Sequence, residues 1–360
     1  GLSFHAFQSM SYVIEVYKGA QKAEKHLGLY ALYVMFFPQL VAGPIERPQN
    51  LLPQFREKVT FAPDRITAGL QLIMWGLFKK MVVADNIALI VNNVYNRVGD
   101  FNALSLTIAT ILFAFQIYCD FSGYSAIAVG SAKVLGINLT VNFKRPYFSA
   151  SISEFWRRWH ISLSSWFRDY LYIPLGGNRL SRFRSHLNLV ITFLVSGFWH
   201  GANWTYVIWG GINGFYLIIE KSWGNLINNL KISWLGRLIG ILVTFVLVNV
   251  GWVFFRANTL ADSLIIIKKI FSLSSWFEGF GSFSLTLANL FLTYWNVLVI
   301  SFSISILLIV DVKLERENTL DENWISYFSG WRKWLVRYIL VLVILFFGYF
   351  GELPFIYFQF

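Results

Sequence analysis

The feature that most limits this chain is a succession of apolar runs, each close to the length that crosses a bilayer. A helix rises 1.5 Å per residue, so about 20 apolar residues span ~30 Å of hydrocarbon. The candidate runs are Leu27–Ala42, Ile66–Val83, Leu104–Tyr118, Leu187–Ile219, Leu235–Phe255, Leu287–Val310 and Trp334–Phe350. Some are short or interrupted by glycine, and Leu187–Ile219 has room for one bent helix or two short ones. The pattern predicts roughly eight to ten membrane helices, some tilted or incomplete. The alternating ten-residue segments of a transmembrane β-barrel are missing, so the expected fold is all-α and integral to the membrane.

Composition supports the same reading. Hydrophobic residues make up 56% of the 360 and charged residues only 14%, where a soluble domain carries about 25% charged residues. A water-soluble fold could not cover that much apolar surface, and lipid removes the need. The runs follow one another without a polar linker, so residues 1–360 are read as one membrane domain. The chain opens inside a membrane-associated segment, and further N-terminal helices are expected before Gly1. The formal charge of +11 is spread between apolar runs rather than gathered on a soluble face. Anionic headgroups and the positive-inside bias account for that placement better than nucleic acid does. The single cysteine, Cys119, excludes an internal disulfide and a cysteine metal cluster.

Three polar stretches interrupt the apolar pattern. Ala42–Arg65, with Pro44, Pro48, Pro53 and Pro63, reads as an ordered loop. Asp311–Lys333, with Asp311, Glu315, Glu317, Asp321 and Glu322, reads as a solvated connection. The third, Asn142–His186, carries Lys144, Arg145, Arg157, Arg158, Arg168, Arg179, Arg182 and Arg184 against Glu154 and Asp169. Such a basic stretch is expected on the cytoplasmic side. Within it, Ser151 and Glu154 form the pattern of a capping box that starts a helix. At 100° per residue, Phe155, Trp156, Trp159, His160, Leu163, Trp166 and Phe167 fall in one arc of about 140°. Arg157, Arg158, Ser164, Ser165 and Arg168 fill the opposite side, with Ile161 the exception. An amphipathic helix lying in the interface is therefore expected.

His200 is the first candidate for chemistry. It stands in Ser196-Gly197-Phe198-Trp199-His200-Gly201-Ala202-Asn203-Trp204, at the centre of an apolar run. An ionisable side chain at membrane depth is costly and points to function by default; the alternative is a neutral imidazole bonded to a carbonyl in the bundle. His160, at the edge of the aromatic arc, is the second candidate. A neutral imidazole can act as general base toward a hydroxyl. His5, His26 and His186 lie in charged or terminal stretches and suggest no role. Asp120, within an apolar run, reads as a hydrogen-bonded structural acid. No His is followed by Asp at the fourth or fifth position, and no G-x-S-x-G, H-E-x-x-H or phosphate-binding Gly-rich motif occurs. Two histidines without carboxylate partners make a poor metal site, and no metal is expected.

The stretch Arg157–Arg179, RRWHISLSSWFRDYLYIPLGGNR, resembles the membrane-bound O-acyltransferase family in its bacterial alginate O-acetylation branch. The same resemblance is carried by Phe36–Phe55 (FFPQLVAGPIERPQNLLPQF), Tyr118–Ile137, Asn142–Trp156 (NFKRPYFSASISEFW), Ser196–Trp204 (SGFWHGANW), Gly251–Ala257 (GWVFFRA) and Phe355–Phe360 (FIYFQF). It implies a ring of tilted helices with interfacial helices around a central tunnel, with His200 as catalytic histidine and His160 as a second tunnel histidine. It further implies a coenzyme A or carrier-protein thioester as donor, here acetyl-CoA, and no bound cofactor. The acceptor would be an exported polysaccharide, the usual partner a periplasmic acetyltransferase, and the location the bacterial inner membrane. Arg157, Arg158 and Arg168 are expected to receive the donor's phosphates. Trp156, Trp159, Trp199 and Asn203 are expected along the substrate path; packing and interfacial anchoring are the plainer roles for the tryptophans. Two positions depart from the family pattern, Ala126 where relatives carry Asp and Asn213 where many carry His. Three other readings remain open: a D-alanyl-type transfer to teichoic acid, a channel or transporter lined by the histidines, and a scaffold for a soluble acetyltransferase.

The basic stretch supplies a topological test. With Cys119 replaced, a cysteine placed at Ser181 should be labelled by thiol reagents only from the cytoplasmic side. Labelling from the periplasm would reverse the orientation and the donor-entry argument with it.

Overall fold

The computed structural model describes residues 2–40, 43–224, 233–291, 293–319, 323–353 and 355–356. Of the residues singled out above, Gly1, Ala42, Asp321, Glu322 and 357–360 lie outside that set. Among the described residues there are helices and no strand. In chain order they are α1 (Leu2–Tyr17), α2 (Leu27–Met35), α3 (Pro48–Gln54), α4 (Pro63–Leu77), α5 (Asp85–Tyr95), α6 (Ala103–Val134), α7 (Ile152–Arg158), α8 (Ile161–Phe167), α9 (Arg182–His200), α10 (Trp204–Ser222), α11 (Trp234–Arg256), α12 (Leu260–Ile270), α13 (Leu273–Gly281), α14 (Phe283–Phe291), α15 (Tyr294–Arg316) and α16 (Gly330–Phe347). Three of them, α6, α11 and α15, are long and apolar enough to cross a membrane. The chain divides into two compact units. Among the described residues, one comprises residues 2–83, Tyr118–Asn142 and residues 306–356; the other comprises Ala84–Ile117 and Phe143–Ser305.

In the first unit, α4 and α6 pack backbone to backbone. A Cβ on Gly76 would sit 2.5 Å from the Gly123 carbonyl oxygen, and one on Gly69 would sit 2.6 Å from that of Gly130. The reciprocal positions are equally filled, with Gly130 2.6 Å from the Gly69 oxygen. The two glycine pairs are seven residues apart on each helix, two turns, so they lie on one stripe. Without a hydrophobic drive between helices in lipid, such close contact is what associates them.

Polar groups inside this unit find partners far along the chain. Asp120 pairs with Lys80 at 2.6 Å and accepts the Ile356 N–H at 2.8 Å, which ties the C-terminal segment to α6. Phe355 packs on Phe121 and Tyr124 with ring centroids 5.9 and 4.9 Å apart. The run expected to end near Tyr118 therefore continues to Val134, because its acid is paired rather than solvated. The acidic stretch from Asp311 also departs from expectation. Residues to Arg316 extend α15, and buried Asp311 accepts a hydrogen bond from the Tyr118 hydroxyl at 3.2 Å. The proline-rich loop contains α3, which begins at Pro48, where a missing N–H does no harm. Glu46 fastens the loop: its carboxylate accepts Asn50 Nδ2 at 2.6 Å and the Thr140 N–H.

The α4–α6 contact yields a stability prediction. Gly76→Ala should lower the melting temperature of the purified protein, since overpacking costs about 1–3 kcal/mol. Gly211→Ala on α10, whose Cβ would meet only Leu194 at 3.7 Å, should stay within about 0.5 kcal/mol of the parent. Equal melting of the two variants would remove the close-contact argument.

Candidate active site

The candidate site lies in the second unit, and glycine again sets its geometry. The long run Leu187–Ile219 is two helices, α9 and α10, folded back on each other. A Cβ on Gly197 would meet the Tyr206 carbonyl oxygen at 2.3 Å, and one on Gly210 the Phe193 oxygen at 2.2 Å. Asn203 caps α10 by accepting the Thr205 N–H at 3.1 Å. Its side chain is engaged by the turn and is exposed. His200 is consequently the last residue of α9, at a reversal of the chain, rather than the middle of a span. It is buried, with its imidazole edge-on to Trp199, Trp209 and Phe255 at centroid distances of 4.8, 5.2 and 5.3 Å.

His160 is placed by a break that the aromatic periodicity conceals. The expected amphipathic helix is two short helices, α7 and α8, separated at Trp159 and His160. The Trp159 N–H closes α7 on the Phe155 carbonyl at 2.8 Å. The Arg158 carbonyl, instead of continuing that helix, accepts the Lys144 N–H at 2.9 Å. His160 then takes φ 42° and ψ 56°, the left-handed region, and starts α8. Histidine is among the few non-glycine residues enriched there, and such backbone strain gathers at functional sites. The start of α7 follows expectation more closely. Ser151 Oγ accepts the Glu154 N–H at 3.2 Å, while Glu154 reaches back to the Ala150 N–H at 2.9 Å, one residue before the usual partner.

A chain of rings joins the two histidines. From His200 it runs to Trp209, then to Trp252, stacked on it at 6.1 Å, then to Trp159 at 5.1 Å and Phe143 at 5.1 Å. Phe143 lies over His160 at 6.3 Å, and Trp156 joins the chain at Trp209, 5.8 Å away. Tyr147 braces the centre: its hydroxyl donates to the Ala114 carbonyl at 2.6 Å and accepts Trp252 Nε1 at 3.2 Å. Every ring from Trp209 to His160 along this chain is buried. Burial, with His200 nearby as a second cause, holds the His160 imidazole well below its ordinary value, so it is neutral at pH 7.

Sequence reasoning placed both histidines, Trp156, Trp159 and Trp199, and the structure brings these together. The arginines are elsewhere. Arg157 and Arg168 are exposed, Arg168 pairing with Asp169 at 2.7 Å, and Arg158 pairs with Glu154 at 2.7 Å one turn earlier. The rings that build the centre, Phe143, Trp209, Trp252 and Phe255, were not anticipated as site residues. The available signal was the spacing of Trp252 and Phe255, three apart and so on one helix face. Asn213, where many relatives carry His, donates to the Trp209 carbonyl one turn back at 2.8 Å and so belongs to the same wall.

Residues 5–264 match the model of MBOAT, the membrane-bound O-acyltransferase family. The chain is 41% identical over 285 residues to the "Probable alginate O-acetylase AlgI" of Pseudomonas aeruginosa, covering 77% of this chain and 52% of that protein. It is 35% identical over 299 residues to the "Peptidoglycan O-acetyltransferase" of Helicobacter pylori, covering 76% and 56%. With the "Teichoic acid D-alanyltransferase" of Streptococcus thermophilus it shares 31% identity over 241 residues, 62% and 57% of the two chains. The chain thus spans little more than half the length of these relatives. A family model that runs through both histidines and most of the chain settles the classification: this protein belongs to the membrane-bound O-acyltransferase family.

Proposed function

We propose that this protein is an O-acetyltransferase of the bacterial inner membrane. In this reading it takes acetyl from cytoplasmic acetyl-CoA and passes it across the membrane for O-acetylation of an exported polysaccharide such as alginate. The observation that carries the proposal is the pair of buried histidines set in one body of aromatic rings. The resemblance to proteins named for alginate and peptidoglycan O-acetylation supports acetyl as the group moved.

The chemistry follows from what neutral imidazoles do. His200, as general base, accepts the proton of an acceptor hydroxyl as its oxygen attacks the thioester carbonyl. The carbon–sulfur bond then breaks, and the departing thiolate takes up that proton and leaves as a free thiol. His160, held at the other end of the ring chain, orients the donor or relays the proton. The rings around them exclude water, which would otherwise compete as acceptor and yield free acetate. Arg157 on the exposed face of α7, with Arg158 and Arg168, gives the donor's phosphates a cationic approach. A periplasmic acetyltransferase is the expected partner on the far side, where the family's polysaccharide branch hands its acyl group on.

Purified protein in lipid nanodiscs should transfer radiolabelled acetyl from acetyl-CoA. His200→Gln should lower that rate by about 10²–10⁴-fold, the usual contribution of a general base, while expression and melting stay close to the parent. His160→Asn keeps a residue that tolerates the left-handed backbone and should lower the rate less. An unchanged rate in His200→Gln at equal protein level would make that histidine structural and move the transporter or scaffold readings forward. Transfer from a D-alanyl carrier thioester, but not from acetyl-CoA, would replace acetyl with the teichoic acid chemistry.

A further inference from the structure

The end of α10 and the start of α11 enclose a cleft for which the chemistry above has no use. It holds about 370 Å³, with Tyr216, Ile219 and Glu220 of α10 on one side and Ala150–Ile152 beside them. α11 supplies the other side through Gly236, Ile239, Gly240, Val243, Thr244 and Leu247, spaced by three and four so that one helix face meets the cleft. Thr244, Ala150 and Ile152 are buried, whereas Ile239 and Val243 at the rim are 53% and 52% exposed. At Gly240 a Cβ would meet the Ala150 carbonyl oxygen at 2.8 Å, so α11 closes on that segment where it carries no side chain.

The rim faces lipid, because α11 is one of the helices long and apolar enough to cross a membrane. From Gly236 to Leu247 the cleft runs about 16 Å at 1.5 Å per residue. That is half of the ~30 Å hydrocarbon core, the depth of one leaflet and of one acyl chain. Trp223, just beyond α10, and Trp234, the first residue of α11, are 63% and 80% exposed. Exposed indoles at helix ends mark the headgroup level. Glu220 closes the cleft at that end and also lines a second, polar hollow of about 310 Å³ with Lys221, Tyr172 and Asn178. Glu220 Oε2 accepts the Ser153 N–H at 3.0 Å, and Lys221 Nζ donates to Ser185 Oγ at 2.6 Å, which sets both against the basic stretch. Among the described residues neither forms an ion pair.

We propose that this cleft is a binding site for a membrane phospholipid with a phosphoethanolamine headgroup, drawn from the leaflet beside the basic stretch. The lipid phosphate meets Lys221, its ammonium donates to Glu220, and one acyl chain lies along α11. A carboxylate and an ammonium on neighbouring residues match a headgroup that carries both signs. Phosphatidylglycerol offers Glu220 no cation, and the quaternary ammonium of phosphatidylcholine has no N–H to donate to it. A lipid seated there braces the start of α7, the helix that carries Trp156 into the ring chain.

The test is native mass spectrometry of the full chain released from nanodiscs holding equal parts of phosphatidylethanolamine, phosphatidylglycerol and phosphatidylcholine. The parent should retain phosphatidylethanolamine about tenfold over phosphatidylcholine, the scale of one hydrogen bond to a charged group. Glu220→Gln keeps an acceptor for the Ser153 N–H and should erase that preference. Lys221→Gln should weaken retention of all three lipids alike, and Val243→Trp, which fills the cleft from its rim, should abolish it. A parent that retains no lipid, or prefers phosphatidylglycerol, would overturn the proposal. So would a phosphatidylethanolamine preference that survives in Glu220→Gln or Val243→Trp. Release of the lipid on adding coenzyme A would assign the polar hollow to the acyl donor instead. None of these readings requires acetyl transfer, so they stand apart from the outcome of the preceding section.

Discussion

The contact between α9 and α10 at Gly197 and Gly210 governs the rest of the site. With no side chain on either residue, each helix lies against a carbonyl of the other. This contact forces the chain to reverse within Gly201–Asn203 and leaves His200 at the end of a helix, facing inward. A side chain at Gly197 would push Tyr206 away, and with it Phe255, the ring that packs on His200. Close packing and polar bonds are what associate helices wherever they gain nothing from excluding water from one another.

Distant polar partners also close several of the polar groups buried in the interior. Asp120 with Lys80, Asp311 with Tyr118, and Tyr147 with Ala114 and Trp252 each close a polar group against a residue far away in sequence. In a soluble protein water would share that duty. In the hydrocarbon core that duty falls to the protein itself.

These long-range bonds also mark the limit of what the sequence discloses. The membrane class was legible because it needs only the length and density of apolar runs, and the helix start at Ser151 because a cap is local. His160 and His200 were legible as exceptions, polar residues in aromatic or apolar surroundings. The break between α7 and α8 was not, since the bond that diverts the Arg158 carbonyl comes from Lys144, fourteen residues earlier. The aromatic period runs through the break undisturbed and mimics one helix. Asp311 misled in the opposite way. An acid at the edge of an apolar run suggests an exit into solvent, and only the folded chain brings the Tyr118 hydroxyl to it. Trp209 and Trp252 were hidden by their numbers: among 15 tryptophans, nothing local separates a site wall from an interfacial anchor.

The ring chain has an optical consequence. Trp159, Trp252 and Trp209 lie with successive centroids 5.1 and 6.1 Å apart, the second pair inclined by only 15°. Indoles this close and this rigid share their electronic transitions, so the trio should give a strong, paired near-ultraviolet circular dichroism band. That band would report the joining of α7, α10 and α11 around the two histidines directly, in lipid and before any substrate is known.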